Sequence, residues 1–160
     1  MERGEMMPKS RMYTLLLKGY DGKVTSRLSS GTEQLRPNFQ VYEFRANRGD
    51  NLDLAAVSEY DLDTLQYIRS MLGARVEVTS AGRTPRYNGS PSVGGSPRSK
   101  HRLLFDCLDF KIDDITDNQY SAVFNYLVVR GYQGVFLYDN HRFPVILFSI
   151  SFIIIVSRRL

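Results

Sequence analysis

Short stretches of alternating apolar and polar residues run through this chain, and in two places the period lengthens to that of a helix. Tyr13 to Lys18 reads as the first strand. Tyr20-Asp21-Gly22-Lys23 follows, and Asp-Gly is a strong hairpin signal, so Val24 to Leu28 is its expected partner. Ser29 to Pro37 reads as loop, and Phe39 to Phe44 as a third strand. Arg75 to Thr79, Leu103 to Ile112 and Gly134 to Tyr138 complete the strands, with Val76 and Val78 on one face. Leu103 to Ile112 is apolar on both faces, which places it centrally in a sheet.

The two helices carry their own boundaries. Glu59 to Leu72 has Ser58 as N-cap, Asp61 in the capping-box position and Gly73 as its stop. Its apolar stripe is Leu62, Leu65, Ile68 and Leu72. Asp117 to Arg130 has a capping box of Thr116 and Gln119, a staple of Ile115 and Tyr120, and Gly131 as terminator. Tyr120, Val123, Phe124, Leu127 and Val128 predict one wide apolar face.

Two strand-helix-strand units in succession predict an α+β fold, a ferredoxin-like βαββαβ sandwich with both helices on one face of an antiparallel sheet. The N-terminal hairpin and a C-terminal apolar strand or tail are additions to it; another α+β sheet order with the same elements is the alternative. The expected division is a disordered N-terminus over 1–11, the first half of one domain over 12–79, a basic disordered loop over 80–102, the second half over 103–148 and an apolar tail over 149–160. A hydrophobic share of 42% over 160 residues is enough for a packed core. Oligomeric state is left open, although an exposed sheet edge could pair with a second copy.

Charge is concentrated in the loop. Ser80 to Arg102 is rich in Gly, Ser and Pro and holds Arg83, Arg86, Arg98, Lys100 and Arg102 without an acidic residue. The whole chain nets +4, so everything outside this loop sums to −1. Such an arm can contact phosphates by counterion release, and Thr84, Ser90 and Ser96, each followed by proline, are candidates for phosphorylation that would reverse its sign. The bland alternative is a solvated loop kept soluble by charge.

Arg130-Gly131-Tyr132-Gln133-Gly134-Val135-Phe136-Leu137-Tyr138 loosely resembles the aromatic motif of RNA-recognition domains, with Gln133 inserted and a position after the second helix. That resemblance implies Tyr132 and Tyr138 as base-stacking residues; the alternative is that Gly131 stops a helix and the aromatics are core. Arg48-Gly49-Asp50 and Asn88-Gly89-Ser90 are read as incidental matches.

No nucleophile pattern, phosphate loop or HExxH appears. There is one cysteine, Cys107, and two histidines, His101 and His141, each beside an arginine in an expected loop. The single cysteine rules out an internal disulfide and fits a reducing compartment. Asp106 and Asp109 fall on opposite faces of a strand, and Asp113 and Asp114 sit ahead of a helix N-terminus that favours acids. No metal, cofactor or catalytic residue is therefore assigned.

Phe143 to Val156 is apolar apart from Ser149 and Ser151 and ends in Arg158-Arg159. A strand paired with Val135 to Tyr138, a membrane tail over 143–156, and a segment foreign to the fold all fit it. The functional expectation is a non-catalytic, intracellular (cytoplasmic or nuclear) module binding nucleic acid through the loop. The alternative is a protein-binding regulatory subunit with a phosphorylatable linker, tethered to a membrane by the tail.

Overall fold

This computed structural model describes residues 7–46, 53–82, 105, 108–113 and 115–132, and the backbone at 107, 133–139 and 151–158. It is a mixed α+β structure. Strands β1 (Met12–Lys18) and β2 (Val24–Ser30) form the expected hairpin, paired from Met12↔Ser30 to Lys18↔Val24. Gly22 closes its turn at φ 82°, where only glycine is unstrained. Ahead of β1, Pro8–Ser10 make a short 3-10 turn pinned by the Tyr13 hydroxyl, which donates to the Pro8 carbonyl at 2.7 Å. Of the N-terminal stretch expected to be disordered, 7–11 are thus ordered, and 1–6 lie outside the described residues.

The segment expected to be loop contains β3 (Gln34–Arg36), paired with β4 (Phe39–Gln40). The expected third strand ends there. Val41–Phe44 turn into a 3-10 helix because the Glu43 carboxylate reaches back to the Gln40 N–H at 2.7 Å, a reciprocal cap. β5 (Leu54–Ser58) has no counterpart in the sequence reading; it lies parallel to β1.

Helix α1 (Glu59–Leu72) begins and ends as expected. The Ser58 hydroxyl accepts from the Asp61 N–H at 3.0 Å, and Gly73 takes the left-handed C-cap at φ 61°. β6 (Val76–Ser80), β7 (Cys107–Asp113), β8 (Tyr132–Asp139) and β9 (Ser151–Arg158) form a four-stranded antiparallel sheet in the order β6-β7-β9-β8. Helix α2 (Asp117–Val129) joins β7 to β8 and has its capping box of Thr116 and Gln119.

The ferredoxin-like arrangement requires the strand ahead of α1 to share a sheet with β6, and β5 does not. It pairs with β1 in a separate three-stranded sheet ordered β2-β1-β5. The C-terminal run supplies the fourth strand instead. β9 sits between β7 and β8, with Ile154 opposite Phe110 and opposite Leu137. Residues 151–158 are therefore extended and paired on both sides, not a membrane helix. Among the described residues no helix is long and apolar enough to cross a membrane.

Both halves contribute to one core. Phe39, Phe44, Leu62, Leu65 and Ile68 pack in the same cluster as Phe110, Ile112, Val123 and Leu127. Each such burial is worth about 1.5–3 kcal/mol. The wide face expected on α2 is narrower than its spacing implied: Val123 and Leu127 are buried, while Phe124 is 38% and Val128 51% exposed.

Candidate functional site

Three groups of polar side chains are built on this frame. The first joins the hairpin, α1 and the start of β8. Asp63 on α1 accepts from Arg36 Nε at 2.7 Å and from the Tyr20 hydroxyl at the hairpin tip. Burial raises the Asp63 pKa, but the hydrogen bonds from Arg36 and Tyr20 outweigh it, and the carboxyl is held below its usual range. The Arg130 guanidinium lies 3.9 Å over the Tyr60 ring and donates to Thr64 Oγ1 and the Tyr60 carbonyl, while the Tyr60 hydroxyl donates to the Arg130 carbonyl. Tyr132 donates to buried Asp61 at 2.6 Å. These side chains form one connected network that ties the hairpin, α1 and β8 together, as in a structural clamp.

The second is a polar cleft of about 350 Å³ where Arg69, Arg75 and Tyr42 surround Glu43. Burial pushes the Glu43 carboxyl up, against the lowering effect of its Gln40 N–H bond. A raised acid pKa means that the folded state holds its proton more tightly than the unfolded one. The corresponding stability is fully present below the ordinary value of 4.5 and is lost as pH rises through the folded pKa. Glu43→Gln is expected to keep the cap and to gain on the wild type as pH climbs. Urea midpoints at about pH 4 and about pH 7 measure it, and a difference that shrinks with rising pH refutes it.

The third is the face of β7 turned away from the core. Leu108, Phe110 and Ile112 are buried, and Asp109, Lys111 and Asp113 alternate with them, partly exposed. Lys111 Nζ lies 3.3 Å from Asp113. Asp109 stands beside Ser80 of β6 and Ile155 of β9, at the centre of the sheet. Among the described residues no group of three His, Cys, Asp or Glu is placed to hold a metal ion.

The residues expected to bind nucleic acid are not brought together in the described part. Arg83, Arg86, Arg98, Lys100 and Arg102 lie outside it, as do Thr84, Ser90 and Ser96. Tyr138 is placed by its backbone on β8, opposite Ile153. Tyr132 is only 7% exposed and its hydroxyl is engaged by Asp61 and Thr64, so no base can stack on its ring; it is a core residue. His101, His141 and Asp106 also lie outside the described residues.

The sequence profile described as peptidase M15 matches residues 37–143, well over half of the chain. The chain belongs to the peptidase M15 family. No curated protein and no solved structure matches it. The matched span runs from just ahead of β4, through α1, β6, β7, α2 and β8, to just past His141. The N-terminal hairpin and β9 fall outside it.

Membership in a peptidase family overturns the expectation of a non-catalytic module, whether a nucleic-acid binder or a regulatory subunit with a phosphorylated linker. The error has a physical origin. Signatures such as HExxH or GxSxG register only when reacting groups share one short element. A site assembled from separated segments leaves no local pattern, and the basic loop that drew attention lies inside the peptidase span.

Proposed function

We propose that the chain is a peptidase that hydrolyses peptide bonds with a zinc ion. The family match over residues 37–143 carries this reading. Peptide hydrolysis needs an activated side-chain nucleophile, a water activated by paired carboxylates, or a metal-bound water. The chain's inventory favours the metal: its two histidines, His101 and His141, both fall inside the matched span, one shortly before β7 and one shortly after β8. Two imidazoles and one carboxylate are the donor set of several catalytic zinc sites, with the fourth position left for water.

Asp109 fits the carboxylate role. It is on a central strand, flanked on both sides by paired strands, and its side chain stands on the face opposite the buried Leu108 and Phe110. His101, His141 and Asp109 would hold the ion, which when bound lowers the pKa of its water and polarises the scissile carbonyl. The test is hydrolysis of a peptide panel, including D-alanyl-D-alanine termini, by the full chain with and without added zinc. Cleavage that is lost with a chelator and restored by zinc supports the reading. Zinc binding in a defined ratio without cleavage of any peptide refutes the activity, and cleavage indifferent to chelation refutes the metal.

A further inference from the structure

The β1–β2 hairpin precedes the matched span, and the proposed zinc chemistry makes no use of it. β2 is the outermost strand of its sheet, and among the described residues no strand pairs along its outer edge. Natural proteins blunt such edges with prolines, lysines, bulges or short length. β2 has seven residues, an unbroken register with β1, no proline, no lysine and one charge, Arg27. Every side chain from Val24 to Leu28 is exposed. The hairpin is also held firmly, since Tyr20 at its tip bonds to Asp63 of α1.

The β1 ladder fixes which main-chain groups are free. The Gly19 N–H donates to the Lys23 carbonyl at 2.9 Å, and the Gly31 N–H to the Arg11 carbonyl at 2.8 Å. Odd-numbered residues of β2 therefore turn their N–H and C=O toward β1. Val24, Ser26 and Leu28 turn theirs outward, and their side chains share one face.

We propose that a second copy of the chain pairs antiparallel with this edge, about a two-fold axis through Ser26. The register follows from the side chains. Centring on Arg27 sets two guanidinium groups directly opposite each other, which is unfavourable. Centring on Thr25 carries Leu28 past the strand end to Gly22. Centring on Ser26 sets Val24 of each copy opposite Leu28 of the other and Thr25 opposite Arg27. Val24 and Leu28 are 50% and 69% exposed in the single chain, so this register covers apolar surface twice and adds roughly six main-chain hydrogen bonds. The interface is isologous and leaves a six-stranded sheet, β5-β1-β2 continued by its copy.

Sedimentation of the full chain over a range of concentrations is expected to show a monomer–dimer equilibrium. Ser26→Pro removes an outward N–H that the monomer does not use, a change edge strands tolerate. Leu28→Lys does the same work through charge at a site too exposed to unfold the chain. Each is expected to raise the dissociation constant on the order of 100-fold. Ser26→Cys is expected to cross-link on oxidation and Thr25→Cys to do so far less, with the unmodified chain controlling for Cys107. A monomer at every concentration overturns the proposal, as does a dimer that Leu28→Lys leaves intact or equal cross-linking at both cysteines. A monomer that instead takes up an extended peptide along β2 overturns it in favour of that occupant.

Discussion

Asp109→Asn is expected to remove peptide hydrolysis while leaving the fold intact. The substitution keeps the shape of the side chain and one acceptor oxygen, and the residue is partly exposed, so the stability change should stay within about 1 kcal/mol. Its effect on activity discriminates between roles. Losing a group that merely orients a metal ligand costs roughly 10–100-fold. Losing one of three ligands should exceed that by at least about another factor of ten and also lower the zinc bound at equilibrium. Asp113→Asn is the control: it sits on the same strand face beside Lys111 at the end of β7, and it should leave kcat and zinc content unchanged. The measurements are kcat with saturating zinc, bound zinc after dialysis, and thermal midpoint. An Asp109→Asn protein with wild-type turnover removes this residue from the proposed site.

Much of the framework is legible in the sequence because its determinants are local. Ser58 and Gly73 bound α1, and Thr116, Gln119 and Gly131 bound α2, through backbone hydrogen bonds made within a few residues. The Asp21-Gly22 turn fixes the first hairpin in the same way. What the sequence conceals depends on distant partners. Leu54–Ser58 carries two alanines and little β-branched character, and it becomes a strand because β1 accepts it in parallel. Phe39 to Phe44 has the composition of a strand, but Glu43 caps its own segment into a 3-10 turn. Tyr132 is readable in the sequence either as a stacking aromatic or as core, and the choice rests on Asp61 and Thr64, some seventy positions earlier, which meet its hydroxyl. The proposed site is the least legible part: Asp106 and Asp109 fall on opposite faces of one strand, which argues against their pairing and says nothing about histidines brought from elsewhere. The available signal was the donor inventory: two imidazoles close in sequence to the strands of one sheet, with a carboxylate on that sheet, match a zinc donor set.

Phe110→Ala is expected to cost about 3–5 kcal/mol, the largest stability loss of any single truncation considered, whereas Phe124→Ala should cost about 1 kcal/mol or less. Period alone puts Phe124 on the buried face of α2, but it is 38% exposed, while Phe110 is 1% exposed on the inner face of β7. Phe110 shares a cluster with Leu62, Leu65 and Ile68 of α1 and with Val123 and Leu127 of α2, and it stands between Val78 of β6 and Ile154 of β9. Truncating it opens a cavity where four elements converge, and none can move inward without straining its own sheet or helix pairing. The loss therefore includes both the transfer term and most of the void. Denaturant unfolding of the two variants measures the contrast, with the slope unchanged if the transition stays cooperative. Equal losses at the two phenylalanines would mean that α2 buries its whole apolar stripe in solution. A small loss at Phe110 would mean that the β6–β9 sheet does not close over α1. Because Asp109 is held by the same strand, a Phe110→Ala protein that still folds is also expected to hydrolyse peptides more slowly, through misplacement of β7 and not through any contact with substrate.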